Sequence, residues 1–296
     1  MTEFLQQLLN GISLGAIYAL IALGYTMVYG VLRFINFAHS DVFMVGAFIG
    51  YYAGQHLPHG TIGGGLAAMA AAMVGCAILG IAIERFVYRP LRSSSTLNVL
   101  ITAIGMSLFL EYTGQLVFGA TPRAYPALFP STIVSVHGLI ISMNQVVVIV
   151  VAAILMVALQ FAVFRTKIGT AMRAVALNPA AARLVGINID VVISFTFGLG
   201  SALAAAGGVL YAINYPSIDP LMGVVPGLKA FIAAVLGGIG NIPGAALGAL
   251  ILGLVETFVD GSHWSTYKDA IAFAILIGIL LFRPAGLLGR FTAEKV

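Results

Sequence analysis

Apolar and polar positions along this chain fall in long blocks rather than in short periods. Apolar runs lie near 8–31, 42–54, 62–83, 96–118, 144–164, 191–213, 226–240, 243–259 and 269–282, nine in all. A helix needs about 20 apolar residues to cross a bilayer's hydrocarbon core. Most of the runs approach that length, but 42–54 and 226–240 are short for a full crossing and predict broken or re-entrant helices. A membrane barrel would instead show short alternating segments. The expected fold is therefore all-α: a polytopic helical integral membrane protein with about eight or nine transmembrane segments, forming one domain over 1–296.

The polar blocks between the runs are unequal. Three are basic: Arg85/Arg89/Arg92, the stretch 165–190, and the tail with Arg283, Arg290 and Lys295. The longest polar connection, 119–143, carries Arg123 as its only cation. With basic loops in the cytoplasm and nine alternating segments, the N-terminus is expected outside and the C-terminus inside. That layout places 11 Lys/Arg at the inner side against Arg123, Lys229 and Lys268 outside.

The stretch 165–190, RTKIGTAMRAVALNPAAARLVGINID, sets Arg165, Lys167, Arg173 and Arg183 against one acid, Asp190. It also spells a complete short helix: Asn178 as N-cap, Pro179 at the first helical position, 180–185 as body and Gly186 as stop.

Composition supports the membrane reading. The chain is 60% hydrophobic, its mean hydropathy is +1.06, and 8% of residues are charged. The 35 glycines include Gly11/Gly15, Gly46/Gly50/Gly54 and Gly244/Gly248 at the small-xxx-small spacing of packed membrane helices. The net charge of +4 has no basic, aromatic-interleaved patch behind it, so nucleic acid is set aside as a partner. Cys76 stands alone in an apolar run and forms no internal disulfide. The N-terminus, MTEFLQQLLN, lacks the basic region of a cleaved signal, so the first segment is expected to be retained. No phosphate-cradling glycine loop with lysine is present. The one glycine-rich turn, GGIGNIPG at 237–244, lies between apolar runs and predicts a tight connection of two half-helices.

Polar groups at membrane depth are costly and so mark candidate sites. The densest set is RFINFAHSD at 33–41, with Asn36, Phe37, His39, Ser40 and Asp41 directly before a short apolar helix. Two readings stand: Ser40 or Asp41 caps that helix at an interface, or the segment is a helix break lining a substrate path. The turn with Gly238, Gly240 and Asn241 is the second candidate wall of that path.

Glu111 and Glu256 lie inside apolar runs, where an acid serves either a proton relay or helix–helix hydrogen bonding. Glu84 is expected to be a salt-bridged boundary residue beside Arg85. His56, His59, His137 and His263 lack metal-ligand spacing, and no hydrolase motif occurs, so neither a metal site nor an enzyme is expected.

Long blocks of the chain carry a family resemblance. GISLGAIYALIALGYTMVYG at 11–30, INFAHSDVFMVGAF at 35–48, IERFVYRPLRSS at 83–94, NPAAARLVGIN at 178–188, GLKAFIAAVLGGIGNIPGAALGALILG at 227–253 and YKDAIAFAILIGILLFRPAGLLGR at 267–290 resemble LivH-type permease subunits of bacterial ABC importers for branched-chain amino acids. The resemblance covers nearly the whole chain. It implies an inner-membrane complex: a second homologous permease chain, two cytoplasmic ATP-binding subunits that alone hydrolyse ATP, and a soluble periplasmic amino-acid-binding protein. No cofactor is implied.

Within that setting, 165–190 is similar to the cytoplasmic coupling loop that docks on the ATPase, with Arg173, Asn178, Pro179, Ala181, Ala182, Arg183 and Gly186 as the coupling residues. The general loop pattern is Glu-Ala-Ala-x-x-x-Gly. Here Ala181, Ala182 and Gly186 match, while Ala180 stands where the glutamate would be. The implied cargo is Leu, Ile or Val. Related permeases are associated with amides or urea, and a stand-alone secondary transporter working through Glu111 or Glu256 is the remaining rival.

Overall fold

Residues 2–136 and 138–289 are described by the structure, a computed structural model. Arg290 and Lys295 of the basic tail, and His137, lie outside them. The membrane helices are α1 (Thr2–Leu32), α2 (His39–Gln55), α3 (Ile62–Ile83), α4 (Thr96–Phe118), α5 (Met143–Arg165), α8 (Ile189–Asn214), α9 (Val224–Gly237), α10 (Ile242–Asp260) and α11 (Lys268–Phe282). A π-turn, Glu84–Tyr88, and a 3₁₀ turn, Arg89–Leu91, extend α3. Among the described residues, seven helices are long and apolar enough to cross a membrane, α11 only together with the 3₁₀ turn Ser265–Tyr267 before it, and α2 and α9, at 17 and 14 residues, fall short.

The basic stretch holds two helices rather than one: α6 (Lys167–Leu177) precedes α7 (Pro179–Leu184). Thr166 caps α6 by accepting from the Gly169 amide at 3.1 Å, and the helix buries Gly169, Met172 and Val175 on a single face. Its apolar positions are interrupted by Lys167, Thr170 and Arg173, so eleven residues give no run long enough to stand out in a membrane sequence.

The core forms around α1, whose middle is buried on all sides by α10, α8, α9 and α5. Gly11 and Gly15 let α1 approach Leu254, Leu250 and Gly253 of α10 backbone to backbone. The peripheral helices bury one stripe only. In α5 this is Val148, Ala152, Leu159 and Val163, while Val150, Ile154, Val157 and Phe161 face outward. Such exposed apolar stripes suit lipid tails, as in helices that cross a bilayer.

The long connection folds back over one end of the bundle. Its strand β1 (Arg123–Ala124) pairs with β4 (Ser217–Ile218) after α8, Leu128 and Phe129 are buried, and β2 (Ile133–Val136) and β3 (Leu139–Ser142) form a hairpin.

Two charges noted in the sequence find partners inside the bundle. Lys229 is not an outer-loop cation: it is buried in α9, its Nζ 2.5 Å from Glu256 of α10 and 2.6 Å from Asp269 of α11. Glu84 is salt-bridged as expected: it is fully buried and its partner is Arg92, beyond the π- and 3₁₀ turns, rather than the adjacent Arg85, and it accepts a hydrogen bond from Ser194 of α8. Neighbouring side chains on a helix point to different faces, so sequence adjacency did not place them together.

Candidate functional site

The polar segment 33–41 is a break between α1 and α2. Arg33 takes a left-handed φ of 55°, the single non-glycine residue to do so among those described, and the chain turns back along α1. Helix α2 then starts with His39 packed at a tilt against Tyr25, ring centroids 4.7 Å apart. Tyr25 lies seven residues before the end of α1. At 1.5 Å per residue, α2 therefore begins roughly 10 Å inside the bundle.

Helix α9 begins at the same depth. It follows the turns at 219–223 that lead in from the β1–β4 end, and its N-cap Gly223 and first-turn Gly227 sit directly on Ser40. A β-carbon at either glycine would overlap Ser40, so the two helix starts meet only because both positions lack one. Two discontinuous helices thus bring their N-termini, the positive ends of their dipoles, together in the interior.

The polar side chains here are buried and mostly engaged. Asn36 accepts from the Tyr88 hydroxyl at 2.6 Å, and Asp41 accepts from Ser107 of α4 at 2.5 Å. His39 Nε2 and the Asp41 Oδ1 are buried with no hydrogen-bond partner among the described residues. Phe37 packs towards Phe231, centroids 6.4 Å apart. The capping reading is corrected: the residue at the N-cap is Ala38, in helical conformation with no side-chain cap, and the Ser40 hydroxyl donates to Phe37 O instead. Ser40 and Asp41 already lie inside the first turn.

The glycine turn is not part of this cluster. Gly238 and Gly240, with φ of 108° and 90°, make the reversal between α9 and α10 beside Gly30 and the 285–289 segment, near the end of α1. Asn241 caps α10, accepting from the Gly244 amide at 3.2 Å and donating to Leu288 O at 2.7 Å.

At that same arginine-rich end stands α7. The Asn178 side chain accepts from the Ala181 amide at 3.1 Å, Pro179 opens the helix, and Gly186 ends it with φ 85°. Ala182 is buried beneath it, while Leu177, Leu184 and Val185 are almost fully exposed. Arg173, on α6, lies over the Phe164 ring at 5.4 Å. A capped turn thus presents an apolar edge away from the bundle.

Polar contacts begin just after this turn, at the start of α8, and reach the interior by way of the π-turn after α3. Asn188 caps α8, and Asp190 in its first turn pairs with Arg89 and with Arg92. Arg92 also holds buried Glu84, and Tyr88, at the end of the same π-turn, holds Asn36 in the helix break. π-turns of this kind often mark functional places in helices. Tyr88 and Ser107 were not singled out from sequence, and Arg92 stood out only as one of three cations in a basic loop. The one signal was a tyrosine and two arginines spaced beside a lone acid.

At the opposite end, a cavity of about 430 Å³ is walled by polar groups that include Asn10, Ser13, Gln145, Asn214 and Glu256. Glu256 is occupied there, accepting from Tyr18 at 2.9 Å and pairing with Lys229.

A lipid-facing helical bundle with two helices broken at depth and a capped turn projecting from one end defines a polytopic membrane permease. The chain belongs to the branched-chain amino acid transport system permease component family, whose profile matches residues 7–280. It is 45% identical to the high-affinity branched-chain amino acid transport system permease protein BraD of Pseudomonas aeruginosa, over 99% of this chain and 98% of that one. To the permease protein LivH of Escherichia coli K12 it is 44% identical over the same shares. A partial match, 31% identical over 43% of the chain, is to the ribose import permease protein RbsC of E. coli K12. No solved structure matches the chain.

Proposed function

We propose that this chain is the membrane permease subunit of an ATP-driven importer that moves Leu, Ile or Val across a bacterial inner membrane. The observation that carries the reading is 45% identity to a high-affinity branched-chain amino acid permease over 99% of the chain. In this reading it pairs with a second homologous permease chain and two ATP-binding subunits and receives cargo from a soluble binding protein. The arginine-rich end, with the C-terminus, faces the cytoplasm, in keeping with the excess of Lys and Arg on inner loops.

The 165–190 loop is the coupling element. Its exposed edge, Leu177, Leu184 and Val185, docks by shape and apolar contact, since Ala180 supplies no charge there. ATP-driven closure of the partners would displace α7. Asp190, Arg92, Glu84 and Tyr88 would carry the displacement to Asn36 and the meeting of α2 with α9. That junction is the gate, and His39 and Asp41 offer polar atoms to cargo as it opens.

Lys229 holds Glu256 in an ion pair, which argues against Glu256 as a proton carrier. Uptake of labelled leucine and labelled urea in cells lacking this chain tests the cargo. Loss of leucine uptake alone is expected; loss of urea uptake with leucine uptake intact would overturn it.

A further inference from the structure

Behind α7, at the arginine-rich end, lies a cavity of about 700 Å³. Its walls come from the end of α1, the turns after α3, the first turns of α4 and α8, and the α6–α7 junction. Two chemistries share it. Val31, Leu32, Phe34, Val99, Val175 and Ile193 form an apolar wall, and Arg33, Arg92 and Arg183 supply cations. Among the described residues no carboxylate lines it. Arg92 is held by Glu84 and Asp190, yet its Nε is buried without a partner, and Arg33 and Arg183 have no acidic partner among the described residues.

We propose that this cavity holds the headgroup of an anionic phospholipid, its phosphate on the arginines and its first acyl methylenes along the apolar wall. The level is right: Arg33 directly follows α1, while Thr96 and Ile189 open α4 and α8, so the cavity sits where helices leave hydrocarbon. The access is right as well. Val99 of the cavity wall shares α4 with Leu97, Ile101 and Ile104, which are exposed and apolar and meet lipid tails directly.

Basic pockets between membrane helices at the cytoplasmic boundary suit such headgroups. A free phosphate fills a small part of the volume and leaves the apolar wall wet. A zwitterionic amino acid finds no carboxylate there for its ammonium. The lipid would tie α7 to α1 and α4, making the coupling turn sensitive to leaflet composition whatever the cargo is.

The test is native mass spectrometry of the purified full-length chain exposed to equal amounts of phosphatidylglycerol and phosphatidylcholine. Selective retention of phosphatidylglycerol is expected. It should fall about fivefold for each of Arg33→Gln and Arg183→Gln, the equivalent of roughly 1 kcal/mol per basic residue at an anionic surface. Val175→Trp, which fills the apolar wall and keeps every charge, should also lower it, whereas Lys167→Gln, in the same basic stretch but outside the cavity, should not. Undiminished retention in the Arg33/Arg183 double variant, or an equal loss in Lys167→Gln, would overturn the proposal. Displacement of the lipid by millimolar inorganic phosphate would point to a free-anion site instead. If the double variant kept its lipid but lost a co-purifying ATPase subunit, the arginines would belong to a protein contact. Because leucine uptake is read separately, either result leaves the transport reading distinguishable.

Discussion

Tyr88 joins a charged surface network to a buried helix break through one hydroxyl. Its ring packs between Phe34 and Phe197, at 5.0 and 5.5 Å, and its hydroxyl serves buried Asn36. Tyr88→Phe keeps the packing and leaves the Asn36 carbonyl without its donor, a loss of about 1–3 kcal/mol at a buried site. Transport by this variant is expected to fall while the chain still inserts in normal amount; unchanged transport would remove Tyr88 from the coupling route. Lys229 makes a second residue-scale case. A buried charge stripped of its partner costs about 3–5 kcal/mol, whereas replacing both partners is far milder. Lys229→Met should therefore lower the thermal unfolding temperature of the purified chain sharply, and Lys229→Met with Glu256→Gln should recover most of it. Equal stability of the single variant and wild type would show that the pair is not formed. Neither residue's role was legible in sequence, because both depend on partners at least 27 positions away.

At the scale of elements, α7 is defined by its ends. Asn178, Pro179 and Gly186 announce it in sequence because capping is local chemistry that needs no partner. Gly186 holds φ 85°, which proline, fixed near −65°, does not reach. Gly186→Pro is expected to deform the end of α7 and to uncouple ATP hydrolysis from uptake, measured as hydrolysis continuing without accumulation of leucine. Wild-type accumulation would separate α7 from coupling. The short helices were legible as well: the short apolar runs 42–54 and 226–240 correspond to α2 and α9, of 17 and 14 residues. What sequence did not show is that α2 and α9 begin against one another, since the contact of Ser40 with Gly223 and Gly227 joins segments about 180 residues apart. Nor did it show α6, whose apolar positions serve one narrow face.

For the whole molecule, every strongly basic segment that is described gathers at one end of the bundle. That arrangement is what a single topology with one cytoplasmic face requires. The fold class was readable from apolar run lengths alone, since lipid admits few backbone solutions. The relative placement of the two candidate path walls was not, because the glycine turn at Gly238 and Gly240 lies beside Gly30 and the 285–289 segment, away from the meeting of α2 with α9. The central claim is that energy enters this chain from an ATPase partner through the α7 end. The most direct measurement is leucine uptake by vesicles containing this chain, under two conditions. One supplies the partner subunits, the binding protein and ATP; the other supplies a proton gradient without ATP or partners. Uptake in the first and none in the second is the predicted result, and uptake driven by the gradient alone would contradict it.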